Sequence, residues 1–385
     1  MLVLGCGHPG PPHVVPEPIP PGPSSACLLG TPGVPAPDTI TVVVADSDSA
    51  AAAAANDFDT LIRLDCEGRP MPGLASSWSR DSTGTNWTFV FPDSQVPGAG
   101  DVASAWKSGE TALALLSQSG VREAVPDGQR LVIRLEQPAK SVPVIFADHA
   151  LGVRHHPSPP TIVVHSTEGR DVRDLVDQSP DVLVTEDPDV LDYASRRPGT
   201  TLTPLAWDRV YVLLLAPDGR PPRELITSDS TTFRMQLARD AVRSEARPAQ
   251  PPYWWSGLHG CAASATRVAV QVRPGAEVPI GYPAGDAAAR SLAERIVALG
   301  DGSWFARGLA AHEFETSLRV GAMNAYILPL PIRPLVPCRE TTWPAGAILV
   351  PLVETRRTAI LRQNGPALVV GGDGSVRPGV APGRP

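Results

Sequence analysis

Residues Phe58–Trp78 read FDTLIRLDCEGRPMPGLASSW, and Asn86–Phe91 read NWTFVF. In the first stretch, apolar residues run from Phe58 to Leu64 ahead of a turn at Glu67-Gly68. Pro72-Gly73 then opens a run of small residues that ends at Trp78. In the second stretch apolar and polar residues alternate, the period of a strand with one buried face. Trp78 and Trp87 bring large aromatic area to a small, twisted subdomain. These residues are therefore expected to fold the protein rather than to bind a ligand. Asp57 and Asp59 flank Phe58 at strand spacing and are expected on one face.

Working outward, Thr39 to Ala45 (TITVVVA) is a β-branched run that reads as a buried strand. Asp101 to Leu116 has helical spacing, with Val102, Ala105, Trp106, Leu113 and Leu116 on one side and Asp101 as its cap. Arg130 to Leu135 (RLVIRL) alternates as a further strand, and Val210 to Leu215 forms another. A chain of 385 residues exceeds the usual single-domain range, and 42% hydrophobic residues suffice for real cores.

These segments resemble, in order, the family 5 extracellular solute-binding proteins, the peptide- and nickel-type binding subunits of ABC importers. The family carries a segment with Asp, Gly and Pro ahead of Leu-Ala-x-x-Trp, followed by Trp-Thr-Phe, as Phe58–Trp78 and NWTFVF do. DVASAWK (101–107), RDLVDQSPDVLVT (173–185), PAGDAAARSLAERIVAL (283–299), FETSLRVGAMNAYIL (314–328) and AILVPLVETRRTAIL (347–361) are similar to later family motifs, and Thr232 to Arg243 is weakly similar to a family helix. The chain is a shortened and divergent example. The glycine-rich strand-turn after the first lobe is absent, as is the stretch between Pro331 and Trp343 that in peptide-binding members supplies an aspartate for the ligand's amino terminus.

The resemblance implies an α/β, two-lobed periplasmic-binding-protein type II fold with mixed sheets and a hinge. Residues 1–36 are an export-signal remnant and proline-rich linker, 37–210 the first lobe with a return segment at 346–385, and 211–345 the second lobe. It implies a monomer that binds a peptide or other small solute between its lobes and delivers it to an ABC permease in the membrane. A degenerate scaffold acting as an envelope sensor or protein-interaction lipoprotein is the alternative. Candidate ligand contacts near the lobe crossings are Asp57, Trp207, Tyr211, Tyr253, Trp254 and Tyr326.

Composition excludes other classes. The net charge of −7 disfavours a nucleic-acid partner, which selects a basic stripe. No apolar run is long enough to span a membrane. Val3-Leu4-Gly5-Cys6 resembles a bacterial lipobox, which makes Cys6 the expected lipidation site of an exported, membrane-anchored protein. The short apolar lead before Cys6 places the true start upstream of Met1 on that reading. The proline-dense residues 7–38 would then be an extended tether. Cys261 and Cys338 are candidates for a disulfide in an oxidising compartment. No CxxC pair, HExxH, Walker A or GxSxG motif is present, so neither cofactor, metal nor catalysis is expected. His155-His156 reads as a solvated turn, and Asp187 and Asp189 as solvated loop carboxylates.

Overall fold

The computed structural model describes residues 14–16, 27–44, 46–93, 97–154, 160–167, 169–216, 230–240, 246–257, 278–299, 302–332, 343, 346–372 and 374–379. By their contacts these fall into two units. One comprises the described residues of 1–25, 50–159 and 369–376, the other those of 26–49, 160–368 and 377–385.

The first unit contains an antiparallel sheet in the order Val14–Pro16, Ser77–Asp81, Asn86–Val90, Arg130–Leu135, Val121–Asp127. Alternation puts Trp87 and Phe89 on its buried face, with Ile133 and Leu131 directly opposite on the next strand. Trp78 lies opposite Phe89 from the other side and is also buried. Helix Ala99–Ser108 contributes Trp106, whose indole N–H donates to the Leu151 carbonyl at 2.7 Å. Its ring stacks on Phe146, and Phe146 meets Phe89 edge-on at 5.4 Å. Such aromatic pairs add to area burial and hold the core in one packing.

Two glycines in Phe58–Trp78 have steric reasons. Gly68 has φ of 75°, in the left-handed region that disfavours side chains. It closes a turn organised by the buried Asp65 carboxylate, which accepts the Glu67 and Arg69 N–H groups, both at 2.9 Å. At Gly73 a Cβ would stand 2.4 Å from the Thr60 carbonyl oxygen, so the chain crosses there only without one.

Three expectations need correction here. The single helix expected over 101–116 is two, Ala99–Ser108 and Glu110–Gln118, because Gly109 adopts an extended conformation with φ −91° and ψ 114°. The break resets the helical phase, so Leu113 is 49% exposed while Ala112, Leu115 and Leu116 are buried. The N-cap is Gly98; Asp101 sits three residues later and accepts the Gly98 N–H at 2.8 Å. Asp57 and Asp59 do not share a strand face. Asp57 ends helix Asp46–Asp57 and is exposed, whereas Asp59 is buried in strand Phe58–Asp59 and pairs with Arg63 at 2.9 Å.

The second unit contains two mixed sheets. The first runs Thr161–Ser166, Thr39–Val44, Val182–Thr185, Thr358–Arg362, Thr200–Pro204. Its first three strands are parallel, and Thr358–Arg362 is antiparallel to both of its neighbours. The second runs Ala246–Pro248, Ile348–Thr355, Arg209–Leu215, Ala325–Pro331, Val278–Pro283, Trp304–Leu309. Its first four strands pair antiparallel and its last three parallel. The helical segments near 173, 232, 283 and 314 appear as Val172–Asp177, Ser230–Asp240, Ala287–Leu299 and Ala311–Val320. Among the described residues, no helix is long and apolar enough to cross a membrane.

Cys6, Cys261, Cys338 and His155-His156 lie outside the described residues. Cys27 and Cys66, not singled out from the sequence, are each in a disulfide bond.

Two outcomes follow for denaturant unfolding. Phe146→Ala removes the ring that touches both Phe89 and Trp106 and lowers stability by about 3–5 kcal/mol. Gly73→Ala forces the Thr60 carbonyl away and costs about 1–3 kcal/mol, although it adds only one methyl group.

Candidate functional site

The strand Arg209–Leu215 lies between Ile348–Thr355 and Ala325–Pro331 and is buried on both faces. Tyr211, Leu213 and Leu215 pack with Leu292 and Ile296 of helix Ala287–Leu299 and with Phe233 and Leu237 of helix Ser230–Asp240. Val210, Val212 and Leu214 pack with Tyr253, Phe314, Tyr326 and Trp343. Polar chemistry is therefore confined to where the strand begins.

There Tyr211, itself fully buried, directs its hydroxyl at two carboxylates. The oxygen lies 3.0 and 3.1 Å from Asp286 Oδ1 and Oδ2, and 3.3 Å from Glu186 Oε1. Glu186 directly follows strand Val182–Thr185 of the five-stranded sheet. Asp286 lies between strand Val278–Pro283 and helix Ala287–Leu299, and accepts the Ala289 N–H at 2.9 Å in that helix's first turn. Each acid thus stands at the carboxyl end of a strand that pairs parallel with a neighbour, the position where open α/β sheets place ligands. Arg209 Nη1 donates to Glu186 Oε1 at 3.2 Å, and Arg357 pairs with Asp208 at 2.7 Å. Glu186 Oε2 and Asp208 Oδ1 are buried with no hydrogen-bond partner among the described residues.

Burial is the main force pushing the Glu186 carboxyl above its ordinary range. Arg209 and Arg357 oppose the rise, and Asp286 and Asp208 add to it. Burial likewise raises Asp286, against the Ala289 N–H and the Tyr211 hydroxyl, which favour its charged form. The Tyr211 phenol is pushed far above its ordinary value by burial and then by the two carboxylates, so it stays a hydrogen-bond donor.

A second network lies around Glu354, which pairs across strands with Val210. Its buried carboxylate accepts from Arg247 Nε at 2.6 Å, from the Tyr253 hydroxyl at 2.6 Å and from the Gln250 N–H at 3.2 Å. Arg247 also lies over the Trp207 ring at 4.3 Å, with Arg356 at 4.8 Å from the same centroid. Tyr253 stacks on Trp255, which meets Trp254 edge-on, and Trp254 packs against Trp343. The Trp254 indole N–H donates to the Pro331 carbonyl at 2.9 Å.

Of the sequence candidates, Trp207, Tyr253 and Trp254 join one network through Arg247 and Glu354. Tyr211 faces the other side of the sheet. Tyr326 is a core residue whose hydroxyl donates to the Ser317 carbonyl at 2.8 Å and accepts the Met323 N–H at 2.8 Å. Asp57 belongs to the first unit. Asp187 is not merely a solvated carboxylate: it caps helix Pro188–Ser195 by accepting the Asp189 and Val190 N–H groups. Sequence reasoning passed over Glu186, Asp286, Arg247 and Glu354. Signals existed: Asp286 precedes a helical run, as a cap does, and Glu354 is a lone charge in an apolar strand, which implies a buried partner. Among the described residues, no group of three or more His, Cys, Asp or Glu stands where it could hold a metal ion.

No family model matches the chain, and no curated protein matches it in sequence. Solved structures do match. NikA from Brucella suis in complex with Fe(III)-EDTA gives a TM-score of 0.60 at 12% identity, over 89% of this chain and 100% of that one. A dipeptide-binding protein from Pseudoalteromonas sp. SM9913 in complex with Met-Leu gives 0.60 at 11% identity, over 88% and 98%. A periplasmic oligopeptide-binding protein from Borrelia burgdorferi gives 0.58 at 10% identity, over 85% and 96%. At these identities the likeness is one of fold: the chain has the mixed α/β fold of two-lobed periplasmic solute-binding proteins.

Proposed function

We propose that the protein is an exported solute receptor that binds a peptide or other small polar solute and delivers it to an ABC permease. The observation that carries this reading is the meeting of Glu186 and Asp286 on Tyr211. Two strands from two sheets send charged groups from their carboxyl ends to one buried hydroxyl, in a fold that its structural neighbours use for binding. A ligand site needs a few convergent polar groups beside apolar or aromatic surface. Glu186, Tyr211 and Asp286 are the polar candidates on one face of the six-stranded sheet, and the half-buried Trp207 and Trp254, with the network around Glu354, are the aromatic candidates on the other.

Export is supported by the disulfide-bonded Cys27 and Cys66, since such bonds persist in oxidising compartments. The lobes would divide near the entry to strand Arg209–Leu215, with the second lobe spanning 211–345 and the chain returning to the first at 346–385. The protein would act as a monomer, without a cofactor and without catalysing a reaction. Cys6 would carry a lipid anchor.

The test is thermal stability of the full chain against a panel of dipeptides, tripeptides and small polar solutes. A true ligand at a hundredfold excess over Kd stabilises the folded state by about 2.7 kcal/mol. Trp207→Ala is expected to weaken that ligand at least about tenfold in calorimetry, or about 1.4 kcal/mol, while leaving the protein folded. A well-folded protein that answers no member of the panel would move the reading to a scaffold used for envelope sensing or protein contact.

A further inference from the structure

Tyr211 presents one hydroxyl to two carboxylates, at 3.0 and 3.1 Å from the Asp286 oxygens and 3.3 Å from Glu186 Oε1. A phenol carries one hydrogen and can give a full, linear bond to only one of the two carboxylates at a time. If both carboxylates are ionised, one of these contacts sets oxygen against oxygen with no hydrogen between them. The cations nearby relieve this only in part: Arg209 and Arg357 favour the charged form of Glu186, but burial outweighs them. Arg209 reaches Glu186, but Arg357 is held at 2.7 Å by Asp208, whose carboxylate adds its own negative charge. Among the described residues, the carboxylates Glu186, Asp286 and Asp208 and the guanidinium groups of Arg209 and Arg357 act on this cluster.

We propose that Glu186 and Asp286 hold one proton between them through Tyr211, which makes the seam between the five-stranded and six-stranded sheets a latch that tightens in acid. With the proton in place, one carboxyl donates to the Tyr211 oxygen and Tyr211 donates to the other carboxylate, so each carboxyl group is joined to Tyr211 through a hydrogen. Without it, two negative charges compete for one donor, and the Glu186 side is pushed from the Asp286 side. The pair then titrates as a unit, like other close carboxylates that cannot both ionise.

The sign follows from linkage. Burial raises both carboxyls in the folded protein, so the folded pair keeps a proton that the unfolded chain has already released. The latch contributes fully below the ordinary carboxylate range, about pH 4. Its contribution is lost as pH rises through the raised value of the pair. Nothing in this depends on which solute the protein binds, or on whether it binds one.

The decisive measurement is carboxyl NMR of the full chain labelled with carbon-13 at Glu and Asp side chains, titrated beside Glu186→Gln. One carboxyl of the pair is expected to stay protonated well above the ordinary range, and that titration should vanish in Glu186→Gln. The melting temperature of the unsubstituted protein should fall by about 2–4 °C relative to Glu186→Gln as pH rises above the ordinary carboxylate range. Asp286→Asn keeps an acceptor for the Ala289 N–H and should flatten the pH dependence in the same way, which covers the case in which Glu186→Gln fails to fold. Ionisation of both carboxyls in the ordinary range, or parallel melting curves for the unsubstituted protein and the variants, would overturn the latch.

Discussion

A strand buried on both faces leaves its chain no lateral outlet for polar groups, and Arg209–Leu215 is such a strand. Its backbone is satisfied by the strands on either side, and its side chains from Val210 to Leu215 are apolar except for one tyrosine. Burying a polar group without a partner costs several kcal/mol, so the Tyr211 hydroxyl must find partners near the strand's entry. That requirement brings Glu186 and Asp286 together and aligns the two sheets of the second unit at one point.

Each acid has a local reason to be where it is. Asp286 satisfies an N–H in the first turn of helix Ala287–Leu299, which a carboxylate at a helix start does well. Glu186 stands at the end of a buried strand, beside Asp187, which caps the next helix. Such residues are common at strand-to-helix turns and signal nothing by themselves. Their meaning here comes from the third partner, a tyrosine from a different strand, and from the burial that raises both carboxyls. On the opposite face of the sheet, Glu354 shows the contrasting case of a buried carboxylate supplied with donors from Arg247, Tyr253 and Gln250.

The elements were legible wherever periodicity and burial agreed. TITVVVA, NWTFVF and RLVIRL are the strands Thr39–Val44, Asn86–Val90 and Arg130–Leu135, because strand alternation and β-branching act within a few residues. The helix over 101–116 misread its own interruption. Gly109 is a single residue, and periodicity averaged over a longer window passes across it. Trp78 and Trp87 were readable as fold-formers, since large rings in an alternating pattern have nowhere else to go. Tyr211, Tyr253 and Tyr326, candidate ligand contacts from the sequence, all place their hydroxyls on partners inside the protein.

By itself the amino-acid sequence determined several strands, among them Thr39–Val44, Asn86–Val90 and Arg130–Leu135, and the role of Trp78 and Trp87 as fold-formers, because these rest on short-range patterns of apolar residues, whereas the α/β class was what the family resemblance implied. Tertiary structure decided which strands neighbour one another, which cysteines are disulfide-bonded and which charges meet. Glu186 and Asp286 are 100 positions apart in the chain, and no local preference couples them. Only the packing of helix Ala287–Leu299 against the strand that bears Tyr211 brings Asp286 to the same hydroxyl as Glu186. Burial at that point, which no single segment specifies, is what shifts their ionisation.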